Sequence, residues 1–260
     1  MKKFLFLPVI FFVFQGLYAG DPFNVTVPLD NYQAGVYRNK QAIYRIEVDS
    51  PGFNLPNTPF QQVLSREVTG NRTLLTLKSG PNPGRHTGPR GDQYISDTRL
   101  LKLDSDEIRE ASRHLREGED LLHRAEELVH SRITGKVTGI PMLSASAVWK
   151  YRRGDCTEHA VLLAALLRKK GVSARTPFGM ILSRRYSGEE NVFVFHMWVE
   201  AWNGSRWVVL DATRPGGVFP ARYVLFGYHS LRSEAPLSYL ESISMIGNIR
   251  VSLAELRAQR

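Results

Sequence analysis

Residues 155–171 carry the signals of one complete helix, and that helix fixes more of this chain's architecture than any other stretch. Asp155, with Glu158 three residues later, forms a capping box at its start. Val161, Leu162, Ala165 and Leu166 supply an apolar stripe. Arg168, Lys169 and Lys170 occupy the last turn, where cations suit the dipole, and Gly171 ends the run. Cys156, the only cysteine among 260 residues, therefore falls on the first helical position. Unpaired backbone N–H groups and the positive end of the dipole favour a thiolate there, which predicts a thiol that ionises below its ordinary range. The same N–H groups can hold an oxyanion. A lone cysteine is commonly buried filler, but this position argues for a reactive group.

Two strand-like runs follow the helix. Residues 191–202 alternate, with Val192, Val194 and His196 on one face and Phe193, Phe195 and Met197 on the other, and residues 206–212 read as their partner. Asn203-Gly204 between them signals a two-residue type I′ turn. In such a hairpin, residues whose numbers sum to 407 face each other, and His196 and Asp211 are such a pair. Cysteine, histidine and aspartate in this order supply a nucleophile (Cys156), its base (His196) and the acid that orients it (Asp211). His159, one turn after Cys156, is the rival base. Trp198 fits equally a shield for the imidazole or core filling, and Glu200 fits a structural ion pair more readily than a partner for a ring N–H. Trp149, Trp202 and Trp207 fit either a substrate groove or the aromatic core.

Ahead of this region the chain changes character. Lys2 and Lys3, the apolar run from Phe4 to Phe14 and the exit through Ala19 have the three parts of a secretory signal, with cleavage expected after residue 19. The run is short for a membrane span, so no stable membrane insertion is expected once the signal is removed. Residues 20–78 read as a small β-rich region, and 79–95, dense in Gly and Pro, as a linker. Residues 96–260 form the expected catalytic domain, opening with a helix capped by Asp104 and Glu107 and, beyond Gly118, a second with the stripe Leu121, Leu122, Ala125, Leu128, Val129 and Ile133. An exported chain with one cysteine has no internal disulfide.

Without Lys2 and Lys3 the chain carries 32 basic and 25 acidic residues, a net of about +7. That balance suits anionic envelope polymers or acidic substrates. No zinc-finger spacing, helix-turn-helix signature or basic-aromatic stripe points to nucleic acid.

At Gly154-Asp155-Cys156-Thr157-Glu158-His159-Ala160, the run Leu166–Arg175, His196-Met197-Trp198-Val199-Glu200 and Trp207-Val208-Val209-Leu210-Asp211-Ala212-Thr213, the sequence resembles the transglutaminase-like superfamily of cysteine enzymes. The resemblance spans roughly residues 96–215. It implies an α+β fold with a papain-like core, the cysteine helix packed on an antiparallel sheet that carries the histidine and aspartate, preceded here by the β-rich region. It also implies Cys156 as nucleophile, His196 as base and Asp211 as orienter. The family often has proline after the aspartate, where this chain has Ala212. The expected activity is acyl transfer through a thioester on peptide or carboxamide bonds, without metal or organic cofactor, in a secreted or periplasmic setting. Hydrolysis is the first expectation. Glutamine-directed crosslinking and a non-catalytic binding module are the alternatives.

Overall fold

The computed structural model describes residues 25–82, 91–137, 141–217, 220–233, 241 and 244–257. The expected signal sequence and residues 83–90 of the expected Gly/Pro linker lie outside them.

Four strands come first, β1 (Thr26–Asp30), β2 (Gln41–Val48), β3 (Gln61–Thr69) and β4 (Arg72–Ser79). Four helices follow, α1 (Asp106–Arg113), α2 (Leu121–Arg132), α3 (Ala145–Tyr151) and α4 (Cys156–Lys169). The remaining strands are β5 (Ala174–Tyr186), β6 (Glu189–Met197), β7 (Val199–Trp202), β8 (Trp207–Leu210), β9 (Tyr223–His229) and β10 (Ile249–Arg257). All ten strands join one sheet in the order β3-β4-β2-β10-β1-β6-β5-β7-β8, with β9 also paired to β5. Every pairing is antiparallel except β1 with β10. The early strands thus share a sheet with the later ones, joined through β1 on β6 and β10 on β2.

α4 is the helical centre. Its expected stripe, Val161, Leu162, Ala165 and Leu166, is buried, but so are Leu163, Ala164 and Leu167 on the other sides. α1, α2 and α3 surround it while β5 and β6 lie beneath it, so a helix that reads as amphipathic becomes a core helix. Its ends follow the sequence: Asp155 and Glu158 close the capping box, and Gly171 takes positive φ. The cap of α1 differs by one residue from expectation. Ser105 accepts the Ile108 N–H, and Asp104 instead receives Lys169 Nζ at 2.8 Å.

The predicted hairpin register is also corrected. β7 and β8 pair Val199 with Leu210 and Trp202 with Trp207, so facing numbers sum to 409. The connection is a four-residue loop in which Asn203 Oδ1 accepts from Ser205 N, Ser205 Oγ and Arg206 N. That side chain satisfies the backbone donors of a wider turn than the two-residue form. His196 lies in β6, beyond the break at Trp198, and pairs with Gly179 of β5.

Candidate active site

Cys156 opens α4 half-buried. Its neighbours form a tightly bonded loop: Asp155 Oδ1 accepts from Thr157 N (2.8 Å) and Thr157 Oγ1 (2.7 Å), while Glu158 accepts from Asp155 N and Leu143 N, both at 3.0 Å. Burial and the Asp155 charge push Glu158 up to about 7. The thiol moves the same way. Burial raises Cys156 well above its ordinary value, the Asp155 carboxylate adds to this, and a hydrogen bond from the Met197 N–H opposes it. The sequence predicted the reverse. A helix N-terminus stabilises a thiolate only if its field outweighs desolvation and nearby anions, and here burial dominates, with the charges of Asp155 and Glu158 adding to it. The Thr157 N–H is committed to the cap, which also leaves fewer helix-start donors for an oxyanion.

His196 and Asp211 meet as expected in partner, though by a different route. Nε2 of His196 lies 2.8 Å from Asp211 Oδ2, with side chains 5% and 1% exposed. Because the observed register differs from the expected one by two residues, the face is preserved, and the two side chains meet diagonally across the β6–β7 break. Burial disfavours ionised Asp211, but the His196 ring, the Thr213 hydroxyl and Arg214 overcome it and hold the carboxyl far below the usual carboxylate range. An anionic partner fixes the His196 hydrogen on Nε2 and leaves the Nδ1 lone pair for a proton. The ring of Trp198 lies nearly parallel to the imidazole at 6.2 Å between centroids, and Tyr223 lies at 6.1 Å. Met197, the next residue after His196, presents its N–H to the Cys156 sulfur. The start of α4 and the end of β6 therefore come together.

Four residues around Asp211 were not singled out from sequence. Tyr223 Oη donates to Oδ2 at 2.8 Å, and Thr213 donates to Oδ1 through N (3.0 Å) and Oγ1 (2.6 Å). Arg214 Nε stands 3.5 Å from Oδ2. Tyr223 reaches Asp211 because β9 runs close against β5: a Cβ at Gly179 would sit 2.0 Å from the Val224 carbonyl oxygen. Glu126 of α2 is buried and accepts the Asp211 N–H at 2.6 Å through Oε1 and the Gly216 N–H at 3.2 Å through Oε2. It lies in helical phase with Leu122 and Val129. A glutamate in an apolar phase was the signal available in the sequence.

The other candidates serve the frame. His159 Nδ1 bonds the Asp155 carbonyl at 2.6 Å, and burial lowers its pKa. Glu200 receives Arg175 Nε at 2.7 Å and Tyr228 Oη at 3.2 Å, the expected structural ion pair. Trp207 is buried beneath the Arg175 guanidinium and against Trp202, and Trp149 is buried under Arg132. Among the described residues no group of three or more His, Cys, Asp or Glu could hold a metal ion, and no helix is long and apolar enough to cross a membrane.

Residues 110–212 match the family model of the transglutaminase-like superfamily, and this stretch is a transglutaminase-like core. A candidate cysteine protease from Cytophaga hutchinsonii shares the fold with a TM-score of 0.51 at 15% identity, over 84% of this chain and 86% of its own. The periplasmic domain of TgpA from Pseudomonas aeruginosa aligns with a TM-score of 0.41 at 15% identity, over 76% and 87%. Red sea bream transglutaminase gives 0.35 at 12% identity, over 71% and 47%. No curated protein matches the sequence significantly.

Proposed function

We propose that this protein is an exported cysteine-dependent acyl-transfer enzyme that hydrolyses peptide or carboxamide bonds through a thioester on Cys156. The supporting observation is the buried His196–Asp211 pair, bonded through Nε2, beside a thiol whose sulfur receives the Met197 N–H. Because the thiol rests protonated, attack and deprotonation occur together: Sγ adds to the carbonyl carbon as His196 Nδ1 takes its proton. The imidazolium, stabilised by the Asp211 carboxylate, returns that proton to the departing amine as the C–N bond breaks. Water then attacks the thioester with His196 again as base, releasing a carboxylic acid and restoring the thiol.

Water is the acceptor in this reading because an amine acceptor needs a walled channel to compete with solvent. Of Trp149, Trp202 and Trp207, the residues suited to wall one, Trp149 and Trp207 are packed into the protein and the half-buried Trp202 stands edge-on against Trp207. The basic surface and the secretory signal favour a peptide or protein substrate in the cell envelope, including envelope polymers. The test is mass spectrometry of a peptide library and envelope extracts, incubated with and without an excess of primary amine. Cleaved or deamidated products that vanish in Cys156→Ala are expected. Amine-bearing products in the majority would make it a transferase, and no Cys156-dependent product would leave only a binding module.

A further inference from the structure

Beside the Asp211 loop lies an open basin of about 750 Å³ lined by Arg38, Arg184, Arg185, Arg214 and Arg222 around Tyr37. Five guanidinium groups on one concavity are an electrostatic cost unless something anionic answers them, because arginine cannot shed its proton. Among the described residues only two are answered. Arg185 pairs with Glu190 at 2.7 Å, and Arg214 lies 3.5 Å from Asp211. Among the described residues Arg38, Arg184 and Arg222 have no carboxylate within ion-pair distance.

The guanidinium groups are positioned as well as concentrated. Arg222 donates Nε and Nη2 to the Leu182 carbonyl at 3.0 and 2.7 Å. The Tyr37 ring lies 4.5 Å from Arg184 Cζ and 5.3 Å from Arg222 Cζ, and its hydroxyl lies 3.0 Å from both the Ser183 carbonyl oxygen and Asn191 Oδ1. A buried tyrosine thus gathers two cations onto its ring. Burial and the nearby Arg214 charge disfavour the Arg222 cation and outweigh the opposing pull of Tyr223, Tyr37 and Asp211.

We propose that this basin is a binding site for a multiply charged oxyanion, a phosphate or carboxylate group chain held by forked guanidinium contacts at the edge of the Asp211 loop. The fork geometry of arginine matches planar or tetrahedral oxyanions in two-point contacts. The volume lies in the range of small-molecule pockets, about 300–1,000 Å³, so it admits more than one charged group. The site needs no turnover, so it stands or falls apart from the acyl-transfer reading.

The experiment is isothermal titration of the full mature chain with sodium tripolyphosphate and, separately, with citrate, at two salt concentrations. One-to-one binding is expected for at least one probe, weakening as salt rises, and the preferred probe separates a phosphate from a carboxylate ligand. Arg38 and Arg184 are exposed, so Arg38→Gln with Arg184→Gln should fold normally by circular dichroism and lose at least tenfold in affinity. Arg184→Lys keeps the charge but lacks the fork, and should lose affinity too. The proposal is overturned if neither probe saturates, if the double variant binds as tightly as the parent, or if Arg184→Lys is indistinguishable from it.

Discussion

Asp211→Asn tests the logic of the site, because the two side chains have nearly the same shape and differ in charge and donors. The Asp211 carboxylate accepts four hydrogen bonds: His196 Nε2 and Tyr223 Oη at Oδ2, both at 2.8 Å, and Thr213 N and Oγ1 at Oδ1, at 3.0 and 2.6 Å. A backbone N–H cannot turn away, so the asparagine carbonyl must take the place of Oδ1 and its NH₂ the place of Oδ2. That NH₂ then faces His196 Nε2, which accepts only if the ring hydrogen moves to Nδ1. The tyrosine hydroxyl can rotate to accept, but the imidazole is left with the wrong nitrogen protonated. Turnover should fall about 10³- to 10⁴-fold.

The stability cost follows from the same bonds. Hydrogen bonds to a charged partner contribute about 1.5–3 kcal/mol and neutral ones about 0.5–1.5, so four weakened bonds, offset by relief from burying an anion, give about 2–4 kcal/mol. The sign of the pH dependence is fixed as well. Asp211 is held below its unfolded value, so its contribution is complete above about pH 4 and is lost as pH falls through the folded value. The gap between parent and variant should therefore close in acid. Nitrogen-15 spectra of the His196 ring, urea denaturation at pH 7 and pH 3, and turnover on a substrate found by the library screen are the measurements. A variant with Nε2 still protonated and turnover within tenfold of the parent would refute this account.

Two further outcomes follow from the surroundings. Asp155→Asn keeps the cap but removes the carboxylate that, after burial, does most to raise the Cys156 thiol; it should give about threefold to tenfold more thiolate at pH 8, read as faster iodoacetamide labelling, and an unchanged rate profile would count against the electrostatic cause. Glu126→Ala strips acceptors from the Asp211 and Gly216 N–H groups and should cost about 1–3 kcal/mol together with turnover. Glu126→Gln, which restores one acceptor, should recover part of both, and urea denaturation with kcat distinguishes the three chains.

The sequence by itself determined the elements whose causes are local. The α4 helix is written in its own residues, with a cap at Asp155, a box closed by Glu158 and an end at Gly171, because capping bonds and dipole preferences act within a turn or two. The pairing of His196 with Asp211 was legible because alternation along a strand fixes the face, and a two-residue error in register leaves that face unchanged. Only the tertiary structure decided the register itself, since it depends on how Asn203 closes its loop. It alone decided the ionisation of Cys156, because the local dipole and the desolvation imposed by the whole core pull in opposite directions. The grips on Asp211 by Glu126, 85 positions earlier in the chain, and by Tyr223, on a strand drawn close at Gly179, arise from packing between distant segments. The gathering of five arginines around Tyr37 has the same origin, for burial and charge add over space and not along the chain.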